Sequence, residues 1–214
     1  MIWYVIPARK NSKGVPYKNR KLFNFTASTI PKDLKQQVIV TSDDEVIQNL
    51  AKQHGFKVRK RPAENSKDDT NIRDVVQDVV HFFSLKKNDT IVLLYLTSPC
   101  REYEDIEKAI KFYKNKKAKS LLCKVDLPTS PYLCFYELDG DKGEKIIDHD
   151  LYRRQDYRRC FALSHYVCMV NVGFLSMVDK NLVSEQTVFM KIDDPIDINT
   201  RQDIEKMLKT KDKK

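Results

Sequence analysis

The sequence predicts an α/β fold, a mostly parallel sheet flanked by helices. Three observations predict it. Two short apolar runs stop at turn-forming residues: Ile2-Trp3-Tyr4-Val5-Ile6 before Pro7, and Val38-Ile39-Val40 before Thr41-Ser42-Asp43-Asp44. Such runs read as buried strands. Strand, helix and strand then follow at βαβ spacing between residues 38 and 58. The longest apolar run, Thr90-Ile91-Val92-Leu93-Leu94-Tyr95-Leu96, suits a central parallel strand covered on both faces.

The remaining elements follow in order. Residues 45–54 carry Val46, Ile47, Leu50 and Ala51 at helical spacing, with Gly55 as a C-cap and Ser42-Asp43 as an N-cap. Phe56-Lys57-Val58 is a short strand. Residues 71–84 repeat Val75, Val76, Val79, Val80 and Phe83 at three and four, which makes a core-facing helix with His81 on its surface. Acids at the start of residues 102–115 suit a helix N-terminus, and residues 120–125 form another strand. Residues 126–169 change character: Pro128, Pro131 and the Gly140/Gly143 turn separate short strands in a hairpin excursion. Thr200-x-x-Asp203 resembles a capping box for a last helix ending near residue 209.

Composition narrows the class. The 214 residues, 41% apolar and 32% charged, suffice for one soluble domain spanning residues 1–208. No apolar run approaches membrane-spanning length, and Met1 leads straight into a strand without a signal peptide. Five cysteines without CxxC spacing read as reduced residues of a cytoplasmic protein, not a disulfide frame or zinc site. The net charge of +9 falls partly in a basic tail, residues 209–214, expected to be disordered. No aromatic-and-basic pattern marks nucleic-acid recognition.

The charge is also concentrated after the first strand. Arg9, Lys10, Lys13, Lys18, Arg20 and Lys21 precede the first acid, Asp33, and the same loop holds Ser12 and Gly14. A strand feeding a cationic loop suits a polyphosphate, because amide N–H groups and cations both meet its oxygens. The spacing is neither G-x-x-x-x-G-K-[ST] nor G-x-G-x-x-G. A solvated basic loop explains the charge alone. Ligands of open α/β sheets sit beyond the carboxyl ends of strands, which points to Tyr95, Thr97, Ser98 and Arg101.

Pro7-Ala8-Arg9-x-x-Ser12-Lys13-Gly14-x-x-x-Lys18-Asn19 resembles the opening motif of the sugar-acid cytidylyltransferases, most nearly the N-acylneuraminate group that makes CMP-sialic acid and related nonulosonates. Arg61-Pro62-Ala63-Glu64, Thr97-Ser98-Pro99-Cys100-Arg101, Arg154-Gln155 and Asp197-Ile198-Asn199-Thr200 extend the resemblance. It implies a Rossmann-like, glycosyltransferase-A-like fold in which the 126–169 excursion pairs two subunits of a homodimer. It implies that CTP binds Arg9, Ser12, Lys13, Lys18, Asn19 and Arg61, with Asn19 on the base edge. A sugar acid would meet Tyr95, Thr97, Ser98, Arg101, Arg154 and Gln155, the Arg154 fork suiting a carboxylate. Asp197 and Asn199 would hold Mg²⁺, and Arg9, Lys18 and Asp197 would carry catalysis of CMP transfer with release of pyrophosphate.

The sequence departs from the pattern at several points. Ile72 stands where some members have Ser, Tyr95 where a Gln is usual, and Leu133 where some place Lys. Ser164-His165 replaces Asn-Gly, and Asn199 replaces the second metal-binding Asp, removing a negative charge. Three other readings stay open: a weakened or inactive nucleotide-binding homologue, an enzyme for 3-deoxy-octulosonic acid, and a nucleotidyltransferase acting on a neutral or phosphorylated substrate.

Overall fold

The computed structural model describes residues 1–10, 15–67, 69–193 and 195–211. Its centre is a seven-stranded sheet assembled from the apolar runs. In β1 (Ile2–Pro7) successive side chains point to opposite faces, and both faces are covered: Tyr4 and Ile6 enter one core, Val5 the other. β1 pairs in parallel with β2 (Val38–Ser42) through Tyr4 and Val38, and with β4 (Thr90–Leu93) through Tyr4 and Val92. β3 (Lys57–Lys60) extends the sheet beyond β2.

The other half of the sheet corrects two expectations. β4 is central, but it ends at Leu93, and its second neighbour runs antiparallel. That neighbour is β8 (Phe161–Asn171), inserted between β4 and β5 (Ser120–Asp126). The excursion therefore spans residues 127–160, and residues 161–169 belong to the main sheet. Within it β6 (Phe135–Leu138) and β7 (Lys142–Lys145) form a separate antiparallel hairpin. β9 (Val188–Lys191), which the sequence did not reveal, adds an edge strand parallel to β5.

Helices cover both faces. α1 (Lys18–Thr29), unforeseen in the sequence, buries Leu22, Phe23 and Ala27 against the core containing Tyr4 and Ile6. α2 (Glu45–Gln53) buries Ile47 and Ala51, but Val46, expected on that face, is exposed. Its N-cap is Asp44, whose side chain accepts a hydrogen bond from Val46 N at 3.0 Å; Ser42 instead accepts from Asp44 N. Gly55 follows at φ +80°, as a C-terminal glycine does. α3 (Ile72–Phe82) packs Val76 and Val79 on the opposite face, capped by Asn71. α4 (Tyr103–Asn115) opens with a reciprocal capping box between Glu102 and Asp105. α5 (Arg201–Lys211) continues past the expected end at 209, and residues 212–214 of the expected tail lie outside the described residues. No described helix is long and apolar enough to cross a membrane.

Candidate active site

The chain leaves β1 toward β2 on one side, while β4 lies on the other. This reversal of strand order opens a crevice at the carboxyl ends of β1 and β4. Two cavities share it. The first, about 270 Å³, is lined by Pro7, Arg9, Lys18, Asn19, Arg61 and Tyr95, among others. The second, about 520 Å³, is lined by Tyr95, Thr97, Ser98, His165, Asp197 and Asn199, among others. Thr70, Ile72, Tyr95 and Thr97 belong to both, so the cavities are neighbours across a common wall.

The first cavity is cationic because local structure sends Arg9, Lys18 and Arg61 there. Tyr17 takes a left-handed conformation, φ 53°, and turns the chain into α1 without a side-chain N-cap. A non-glycine residue there costs on the order of 1 kcal/mol. The first turn of α1 contains no acid, so its positive end meets the cavity mouth uncompensated. Asn19 Nδ2 donates to Arg9 O at 2.8 Å, tying the start of the loop to the helix. Arg61 is buried; it donates from Nη2 to Thr41 O at 3.1 Å, and burial pushes its guanidinium down to about 10. At neutral pH it stays charged. Burial also lowers the Lys18 ammonium, with Arg9 acting in the same direction and Asp197 and Asp203 opposing.

Lys18 links the two cavities. Its Nζ donates to Ile198 O at 2.7 Å, and Ile198 N donates to Thr97 O at 2.7 Å. Both backbone polar groups of Ile198 are thus pinned, one to α1 and one to the turn after β4. This clamp presents Asp197 and Asn199 to the second cavity from alternate positions. Asn199 Nδ2 donates to Asp197 Oδ2 at 2.7 Å. Asp203 Oδ2 accepts from Asn199 N, Thr200 N and Thr200 Oγ1, while Asp203 N donates to Thr200 Oγ1, so the expected capping box is present. Its hydrogen bonds hold the Asp203 carboxyl below the usual range.

The structure does not bring every expected residue to the crevice. Arg101 is the clearest correction. Its guanidinium turns inward, 2% exposed, donating to Tyr166 O at 2.6 Å and Tyr95 O at 3.1 Å. It builds the wall behind Tyr95 and lines neither cavity. Arg154 and Gln155 lie in an exposed turn of the excursion, where Arg154 lines a third cavity of about 390 Å³. Ser12 and Lys13 lie outside the described residues. Conversely, Asn71, Val125, Leu163 and Asn181 line the second cavity although no local motif marked them. Among the described residues no cluster of three His, Cys, Asp or Glu side chains could hold a metal.

The cytidylyltransferase family model matches residues 3–133, well over half the chain and all of the first cavity's lining. The chain belongs to the cytidylyltransferase family. It is 25% identical over 213 residues to an N-acylneuraminate cytidylyltransferase of Streptococcus agalactiae serotype III (strain NEM316), covering 93% of this chain and 50% of that relative. It is 33% identical over 122 residues to the CMP-N,N'-diacetyllegionaminic acid synthase of Legionella pneumophila subsp. pneumophila, covering 51% of this chain and 52% of the relative. The chain thus spans about half the length of these curated relatives. Among solved structures, CMP:2-keto-3-deoxy-manno-octonic acid synthetase complexed with CTP superposes with a TM-score of 0.67 at 13% identity, covering 99% of this chain and 98% of that one. A 4-diphosphocytidyl-2C-methyl-D-erythritol synthase gives 0.61 at 13%, covering 96% of both chains. These likenesses establish the fold, and the sheet and its flanking helices agree with it.

Proposed function

We propose that the chain transfers CMP from CTP to the anomeric hydroxyl of a sialic-acid-like, nonulosonic sugar acid, releasing pyrophosphate. One observation carries the reading: a cationic cavity and a carboxylate-bearing cavity meet at Tyr95 and Thr97, bridged by the Lys18–Ile198 clamp. The names of the relatives supply the substrate class. Arg9, Lys18 and Arg61 hold the triphosphate, with Ser12 and Lys13 completing the loop, and Asn19 faces the base. The acceptor occupies the second cavity. Its anomeric oxygen bonds to the α-phosphorus as the bond to the pyrophosphate oxygen breaks, and the hydroxyl proton passes to solvent water. No covalent protein intermediate forms, so catalysis rests on positioning and on cations that meet the charge developing at phosphorus.

The donor set fits a Mg²⁺ ion. Asp197 offers one carboxylate and Asn199 one amide oxygen, and Mg²⁺ commonly takes few protein ligands beside phosphates and water. Bound there, the ion would offset phosphate charge. We further propose a homodimer. The excursion exposes Phe135, Tyr136, Leu138 and Ile146, each more than 40% accessible, and a second copy burying that face would carry Arg154 and Gln155 toward a neighbouring acceptor site. Five free cysteines suit a reducing compartment, and we place the protein in the cytoplasm.

The test is pyrophosphate release from CTP and Mg²⁺ with sialic, legionaminic, pseudaminic and octulosonic acids. Release with a nine-carbon acid is expected. Release with the octulosonic acid alone would reassign the acceptor, and no release with any acid would overturn the enzyme reading.

A further inference from the structure

A sugar acid carries a carboxylate, and proteins commonly meet carboxylates with Arg or Lys. Yet among the described residues of one chain no Arg or Lys lines the second cavity, while Asp197 adds negative charge to it; the Arg154 fork lies in the excursion and would reach it only from a second copy. Several of its neutral donors are already spent. Thr70 Oγ1 donates to Glu64 O, Asn71 Nδ2 to Asp74, Asn199 Nδ2 to Asp197, and the Tyr166 hydroxyl to Asp105. His165 differs. Its imidazole makes no hydrogen bond to the described residues and is open to solvent. It packs edge-on against Tyr95, with ring centroids 5.4 Å apart and planes at 63°. Tyr95 is in turn fixed from behind, because its carbonyl accepts from buried Arg101.

We propose that His165 reads the acceptor's carboxylate by donating an N–H hydrogen bond to it, with Tyr95 setting the tilt of the ring. This rests on the CMP-transfer reading, and it makes His165 a specificity-determining residue. In either protonation state the ring keeps an N–H to give.

The experiment compares N-acetylneuraminate with its methyl ester as acceptor for the wild-type enzyme, His165→Ala and His165→Gln. The wild type should prefer the acid. His165→Ala should raise KM for the acid about tenfold to hundredfold, the weight of a hydrogen bond to a charged group. It should bring the acid-to-ester preference toward one and leave KM for CTP unchanged. His165→Gln, which keeps a donor, should recover part of the loss. An unchanged acid KM and preference in His165→Ala would overturn the proposal. Should the wild type release no pyrophosphate, the transfer reading fails by itself. The proposal is then decided by adding N-acetylneuraminate to ¹⁵N-histidine protein: a shift of the ring signal that His165→Ala lacks supports it, and an unmoved signal overturns it.

Discussion

Residues 1–126 and the excursion between β5 and β8 spend their apolar side chains differently. In the first region β1, β2 and β4 are buried on both faces, and α1 to α4 close over them. In the second, β6 and β7 are exposed at every position. Its internal order comes from small polar and aromatic contacts: Tyr132 stacked on Tyr157 at 5.0 Å, His149 Nε2 against Tyr132 O at 2.7 Å, and Arg153 paired with Asp156. The first cavity is lined entirely by residues between Pro7 and Thr97, whereas the excursion carries Arg154 and Gln155 in an exposed turn. The packed half lines the cationic cavity, and the exposed half carries the Arg154 turn.

The largest effect that would break this comparison is expected at Arg101→Met. The change removes a buried guanidinium and leaves Tyr95 O and Tyr166 O without those donors. Each unsatisfied buried acceptor costs about 1–3 kcal/mol, so urea denaturation should show a loss of about 3 kcal/mol. A change below about 1 kcal/mol would mean that the wall does not depend on Arg101. At the other extreme, Phe135→Ser in the exposed hairpin should shift the monomer's stability by no more than about 0.5 kcal/mol. It should nevertheless weaken self-association in sedimentation velocity. A wild-type chain that sediments as a monomer at every concentration would remove the dimer from the account.

How much of this was legible in the sequence depended on how local the signal was. β1, β2, β4 and α3 announced themselves, because burial on two faces gives unbroken apolar runs and burial on one face gives a 3.6 period; α4 was marked by the acids of its first turn. α1 did not. It has no side-chain cap, and Leu22, Phe23, Thr26 and Ala27 are scattered among Lys, Arg and Asn. β8 was hidden by its first half, where Phe161 and Leu163 are exposed, so residues 161–169 read as part of the excursion. In the site, Arg9, Lys18, Asn19, Arg61, Tyr95 and Thr97 were readable from motifs that lie along the chain. Asn71, Val125 and Asn181 were not, since the fold alone brings them together. Arg101 was misread because sequence gives a side chain's position but not its direction. After the turn at Pro99 this guanidinium had two backbone carbonyls within reach.

Lys18 stands where the two cavities join, and the central claim is that its surroundings grip CTP. Isothermal titration of CTP into the protein with Mg²⁺ tests this most directly. The account predicts saturable heat of association, with affinity reduced about tenfold or more in Lys18→Met, as expected for the loss of a charged hydrogen-bond donor. No heat with the wild-type protein, or identical binding by Lys18→Met, would contradict it.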